Sequence, residues 1–371
     1  MSMKIDSFES NKLLAALNKG CYKTAAAETR RALSLMEEWF ARRFDAAGAT
    51  EKDGWIYSAL SSGGKRLRPM LVRLAAGFGR PDEARIVRLM CAIELIHSAS
   101  LVHDDIVDRS PLRRSRATIN AEKGDGYAAM CGFAMIGEAL ALLEDADADA
   151  VIDVVAKIPM EMCFGELRQL EIEFDLKAQD EEDYCKRIER KTAVLIKGSC
   201  LTGALAAGAG QRVVSALSDY GHALGILFQL RDDLLDCEQI PTDGKPISQD
   251  MERGIYSLPI LYALTQLREG TREGEKLRAA LRKRVKSPAE IRALAEIAAD
   301  TGGIDYARAA IARQQGRAGD ALSRLPANEY TEALTILLDT LAAAPNARGE
   351  SEKTAPVRFA NEKRRYGYDG S

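Results

Sequence analysis

The chain reads as an all-α protein, and three observations carry that reading. Alternating β-branched runs are rare, whereas Ala, Leu, Glu, Arg and Met dominate. Apolar residues recur at spacings of three and four, the period of a helix with one buried face. Prolines punctuate the pattern at 69, 81, 111, 159, 241, 246, 259, 288 and 326 and leave helix-length stretches between them. The 371 residues would allow two domains. No repeat and no linker divides the chain, so one domain over 1–344 is expected.

The elements follow in order. Helical periodicity covers 11–19, 23–46 and 54–61. A helix over 69–77 starts on Pro69, which suits a first helical turn. The segment 82–107 begins after Pro81 and ends in an aspartate cluster. Helices are expected at 125–144, at 147–175 around Pro159, at 180–208 and at 211–236. The most apolar window, Thr192–Gly210, is interrupted by Lys197 and four glycines. It reads as a buried helix, so no transmembrane segment is expected. The series closes with 257–268, 274–284, 288–301, 303–324 and 328–343. Residues 345–371 are polar, lack apolar periodicity and read as a disordered tail.

Composition excludes several classes. Lys+Arg is 52 against 55 Asp+Glu, a net charge of −3. No basic stripe is interleaved with aromatics, so nucleic acid is not an expected partner. The 7 cysteines are odd in number, scattered and form no CxxC, which argues against a disulfide framework and a zinc site. Met1–Leu13 has no apolar core of a secretory signal. A reducing, cytoplasmic location is expected.

Two clusters carry the chemistry. Asp104-Asp105-Ile-Val-Asp108 and Asp232-Asp233-Leu-Leu-Asp236 each follow strongly apolar helical turns. Residues four apart share a helix face, so Asp104 pairs with Asp108 and Asp232 with Asp236. Crowded carboxylates on an apolar helix are costly unless a cation arrives, and Mg²⁺ suits oxygen ligands. A third acidic stretch, 144–149, lacks the Gly and Glu of a calcium loop and reads as an exposed junction.

Basic centres accompany the acids. Gly63-Gly64-Lys65-Arg66-Leu67-Arg68-Pro69 joins a glycine pair to three cations, and Lys65 and Arg68 are spaced to grip one phosphate group. Arg113-Arg114 follows the first cluster, Arg190-Lys191-Thr192 opens an apolar helix, and Gly244-Lys245-Pro246 follows the second cluster. Together they suit two polyphosphate ligands with bridging metals. No Ser-His-Asp or Cys-His arrangement has support among His97, His103 and His222.

These blocks, in this order, resemble the trans-isoprenyl (polyprenyl) diphosphate synthase family: GGKRLRP at 63–69, HSASLVHDDIVDRSPLRRSRAT at 97–118, ERKTA at 189–193, FQLRDDLLD at 228–236 and GKPISQDMERGIYSLP at 244–259. The resemblance implies a single-domain antiparallel helical bundle around a deep central cavity. It implies head-to-tail condensation of isopentenyl diphosphate with an allylic diphosphate. Asp104, Asp108 and Asp232 would coordinate two or three Mg²⁺ ions, with Asp105, Asp233 and Asp236 in support. Lys65, Arg68, His97 and Arg114 look like the isopentenyl diphosphate site. Arg113, Lys191, Thr192, Gln229 and Lys245 look like allylic diphosphate ligands. A homodimer is expected, with an accessory subunit as a further partner to test.

Three features depart from the family pattern. Ser115 and Ala117 stand where Gly and Pro are common, and the segment Cys131–Ala134 lacks an Asp. The polar tail is an extension. A class I terpene cyclase is the first rival, but it would leave Lys65, Arg68 and Arg114 without a second diphosphate. A regulatory subunit is the second, but every site residue is present. For product length, Ala99 and Ser100, five and four residues before Asp104, are small, so the tunnel is expected to be open there. Products of C20 or longer follow, unless Ile96, Met130 or Phe133 closes the floor first. The alternative is a short-chain farnesyl or geranylgeranyl diphosphate synthase.

Overall fold

The computed structural model describes residues 23–46, 48–114, 116–143, 149–238 and 249–343. The expected helix 11–19, residue Ser115, most of the 144–149 stretch, Lys245 with the rest of Gly244-Lys245-Pro246, and the tail 345–371 lie outside them.

Helices dominate, as composition and period predict. The first four are α1 (Lys23–Phe44), α2 (Glu51–Ser61), α3 (Leu67–Ala76) and α4 (Glu83–Val107). A two-residue hairpin, β1 (Leu112–Arg113) and β2 (Arg116–Ala117), leads to α5 (Ile119–Lys123), α6 (Asp125–Ala141) and α7 (Asp149–Glu171). Then come α8 (Glu181–Ile188), a π-helical turn (Glu189–Ala193), α9 (Val194–Ala206) and α10 (Gln211–Glu238). The remainder is α11 (Gln249–Glu252), α12 (Leu258–Gln266), α13 (Arg272–Arg282), α14 (Pro288–Asp300), α15 (Gly303–Leu322) and α16 (Glu329–Ala342).

Local chemistry sets the helix starts. Thr50 and Asp53 form a reciprocal capping box on α2, and Ser287 and Glu290 form one on α14. Asp82 accepts from the Arg85 N–H at the start of α4. Each such cap contributes about 1 kcal/mol. Packing does the rest. α4 and α10 are the long inner helices: α4 packs on α6 and α3, α10 on α15, α9 and the π-turn. One apolar core runs from Leu33 and Phe40 on α1 through Met70, Cys91 and Leu195 to Leu337 on α16.

Two expectations gain detail. The helix expected over 180–208 runs unbroken from Glu181 to Ala206, with a π-helical turn within it at 189–193. No Gly or Pro marks that site, so the periodicity gives no warning. Val194–Ala206 is a buried helix, as expected, and among the described residues the helix long and apolar enough to cross a membrane is α4, 72% of whose apolar window is packed inside the bundle, as in a core helix.

Candidate active site

Both aspartate clusters end the two inner helices. Asp104 and Asp105 lie in the last turn of α4, and Asp108 is its C-cap. Asp232, Asp233 and Asp236 lie in the last turns of α10. A single cavity of about 610 Å³ is lined by Asp104 from one side and Asp232 from the other. Lys65, Arg68, His97, Arg113 and Arg114 line it too, as do Lys191, Thr192 and Gln229. Arg66, Glu94, Ser100, His103 and Glu166 add to the polar lining, and the apolar part of the wall is Ile96, Leu101, Ile136, Met162 and Phe228.

The carboxylates divide by partner. Asp105 is buried and receives Nε and Nη2 of Arg113 on one oxygen, each at 2.8 Å, so it orients that guanidinium. Asp233 accepts from the Tyr184 hydroxyl at 2.7 Å and from Gln229 Nε2 at 2.7 Å. Gln229 in turn accepts from the Thr192 hydroxyl at 2.7 Å. This chain ties α8, the π-turn and α10 together. Asp233 and Asp236 border a small adjoining pocket with Asp250 rather than the main cavity. Asp108 is paired with Arg253, which also holds Glu173.

Burial raises the carboxyl pKa values. Burial pushes Asp104 up to about 6 against the pull of Lys191. Burial pushes Asp233 up to about 7 in spite of its hydrogen bonds from Tyr184 and Gln229. Asp236 is exposed, yet desolvation by the surrounding protein, with Asp250 and Asp232, raises it to about 6. A cation bound beside such carboxyls would favour their charged form. Burial also works against the Lys191 charge, but Asp104 and Glu166 outweigh it and hold its pKa above the usual value. His97 is pushed well down by burial and by Arg68. It is therefore neutral, and its Nε2 lies 3.1 Å from Arg68 Nη1. Among the described residues, Arg68 Nε is buried with no hydrogen-bond partner.

The π-turn aims Lys191 and Thr192 into the cavity, as such turns often do at functional sites. It is gripped between two glycines. A Cβ on Gly165 would lie 2.9 Å from the Lys191 nitrogen, and one on Gly225 would lie 2.5 Å from the Ala193 Cα. Glu166, next to Gly165, meets Lys191 Nζ at 2.6 Å.

Sequence reasoning missed Glu166, Tyr184, Glu173 and Arg253. Of these, only Arg253 lies in a motif block already singled out; the others become visible through their partners alone. One chain-length expectation is corrected. Ser100 lines the cavity, but Ala99 is fully buried in the core and does not. Adjacent helix positions differ by about 100° in direction, so only one of the two shares the face of Asp104. Met130 and Phe133 are also no floor: they are 65% and 61% exposed on the outer face of α6. Ile96 does line the cavity.

Helices closed around one deep cavity, with acid at two inner helix ends and cations between, define the isoprenyl synthase class of fold. The chain belongs to the polyprenyl synthetase family, whose model matches residues 54–298. It is 42% identical over 213 residues to component 2 of heptaprenyl diphosphate synthase from Geobacillus stearothermophilus, covering 56% of this chain and 65% of that protein. The corresponding Bacillus subtilis protein is 37% identical, with 59% of its length covered, so the chain spans less than two thirds of both relatives. A geranylfarnesyl diphosphate synthase from Aeropyrum pernix is 33% identical over 76% of this chain and 90% of its own. Among solved structures, a decaprenyl diphosphate synthase from Rhodobacter capsulatus superposes with a TM-score of 0.79 at 28% identity, over 86% of this chain and 98% of that one. A polyprenyl synthase from Caulobacter crescentus, complexed with calcium and isoprenyl diphosphate, gives 0.78 at 29% identity, over 88% and 99%.

Proposed function

We propose that this chain is a prenyltransferase that joins isopentenyl diphosphate head-to-tail to an allylic diphosphate, giving an all-trans polyprenyl diphosphate of C20 or longer. One observation carries the reading. A single cavity has acids and cations at its polar wall and Ile96, Leu101, Ile136, Met162 and Phe228 along the rest. That division suits a diphosphate head and a hydrocarbon tail.

Mg²⁺ fits the donor set. Asp104, Asp108 and Asp232 are oxygen donors, and burial disfavours the charge on Asp104, which a bound cation would favour. Among the described residues no three acidic, His or Cys side chains form a closed cage. When bound, the ion would neutralise charge building on the departing diphosphate.

The chain's own residues do the remainder. Arg113, Lys191, Thr192 and Gln229, with Lys245, would hold the allylic diphosphate. Lys65, Arg68, His97 and Arg114 would hold the isopentenyl diphosphate. The allylic C–O bond breaks with its electron pair leaving on diphosphate, and these cations stabilise that charge. The isopentenyl double bond supplies the pair for the new C–C bond. The proton lost from its C2 passes to the released diphosphate. The apolar wall excludes water that would quench the cation.

The six described cysteines are free thiols, which supports a cytoplasmic location. Met130 and Phe133 on α6, with Met160, Phe164 and Leu167 on α7, form an exposed apolar face that supports a homodimer. The relatives named component 2 favour an accessory subunit as the second reading of that face.

The test is mass spectrometry of the product from farnesyl diphosphate, isopentenyl diphosphate and Mg²⁺. Products of C20 or longer are expected. EDTA should abolish turnover and Mg²⁺ restore it. No consumption of isopentenyl diphosphate, or full turnover in EDTA, overturns the reading.

A further inference from the structure

The GGKRLRP block holds three cations, and only two of them have been given a ligand. Arg66 lies between Lys65 and Arg68 in sequence but its side chain is only 5% exposed. All three of its guanidinium nitrogens are taken by protein. Nε donates to Glu37 on α1 at 2.8 Å, Nη1 to Glu94 on α4, and Nη2 to the Leu60 carbonyl on α2 at 2.6 Å. A buried guanidinium between two carboxylates is weak as a source of stability, and its best-attested use is to fix one arrangement over others.

What it fixes is the turn before α3. Arg66 sits in the left-handed region at φ 48°, which is unfavourable for a residue with a Cβ. Gly63 and Gly64 precede it with φ of 100° and 137°. That turn brings Gly64 against Arg114, where an added Cβ would stand 3.1 Å from Arg114 Nη1. It also sets the start of α3, so that Arg68 lines the cavity and its Nη1 reaches His97, while its buried Nε has no hydrogen-bond partner among the described residues. Glu94 lies one helical turn before His97, so one stretch of α4 braces both Arg66 and the Arg68–His97 pair.

We propose that Arg66 is a positioning residue: clamped by Glu37 and Glu94, it shapes the turn so that Lys65, Arg68 and Arg114 converge on one anion. This rests on the reading of those three as the isopentenyl diphosphate site. The expected signature is selective. Arg66→Met should raise KM for isopentenyl diphosphate at least tenfold, with KM for the allylic substrate changed less than threefold. Should Arg66→Met not fold, Glu37→Gln carries the test, because it keeps the shape and removes one charge of the clamp; a threefold or greater selective rise is expected. A folded variant with an unchanged isopentenyl KM, or with equal rises for both substrates, overturns the proposal.

Calorimetry in EDTA with inorganic pyrophosphate separates the two readings. Wild type should bind, and either variant should bind at least threefold more weakly. If wild type binds pyrophosphate without consuming isopentenyl diphosphate, the functional reading fails and the weaker binding of the variants still supports the clamp. Unchanged pyrophosphate affinity in both variants overturns the clamp.

Discussion

Ser100 and Ala99 are neighbours with opposite surroundings, and a phenylalanine at each separates them. Ser100→Phe enters the cavity one turn from Asp104 and should shorten the product toward C15 while the first condensation survives. Ala99→Phe enters a filled core. It should cost about 1–3 kcal/mol or more by urea unfolding, without a defined change in length. Product chromatography and unfolding on both variants check this; an unchanged length distribution in Ser100→Phe removes that residue from the tunnel. Asp233 gives a second test. Its folded pKa of about 7 lies above the ordinary 3.8. Over that window the unfolded chain has lost the proton while the folded chain keeps it. Stability from this group is therefore lost as pH rises from about 4 to about 7. Asp233→Asn should gain on wild type across that range, by on the order of a few kcal/mol, in metal-free urea titrations. A pH-independent difference between the two proteins contradicts the assigned shift.

The π-turn is the element that decides where the cations go. It inserts an extra residue between α8 and α9, and it packs against backbone on α7 and α10 with no room for a Cβ at Gly165 or Gly225. Gly225→Ala would press a methyl against the Ala193 Cα, and backbone cannot yield as a flexible side chain does. We expect a loss of about 1–3 kcal/mol in stability. The larger effect should be a raised KM for the allylic substrate, because Thr192 and Gln229 separate. Steady-state kinetics with the isopentenyl KM as internal control checks this. A wild-type allylic KM shows that the π-turn tolerates displacement.

At the scale of the molecule, the apolar residues of α6 and α7 face outward while the charged cavity faces inward. Phe133 is 61% exposed and Leu167 is 54% exposed, on two helices that pack against each other. Exposed apolar patches are a common mark of interaction surfaces, and the proposed occupant of this one is a second copy of the chain. Light scattering on the purified chain should give a dimer, and Phe133→Glu with Leu167→Glu should give a monomer. A wild-type monomer at micromolar concentration overturns the homodimer and turns attention to an accessory subunit.

Helical class, the two aspartate clusters and most of their cationic partners were legible because they depend on neighbours in the chain. Periodicity reports a buried face, and Asp104 with Asp108 or Lys65 with Arg68 are pairs set by helix spacing alone. What the tertiary structure alone decided depends on distant partners. Arg66 and Arg68 are the same residue type two positions apart. One is held by Glu37 and Glu94; the other pairs with His97 and lines the cavity. Ala99 and Ser100 are both small, and only the packing of α4 tells which meets the cavity. Glu166 and Arg253 gain meaning from Lys191 and Asp108, which lie far away in sequence. A side chain's charge and size are written locally, but its burial and its partner are properties of the packed bundle.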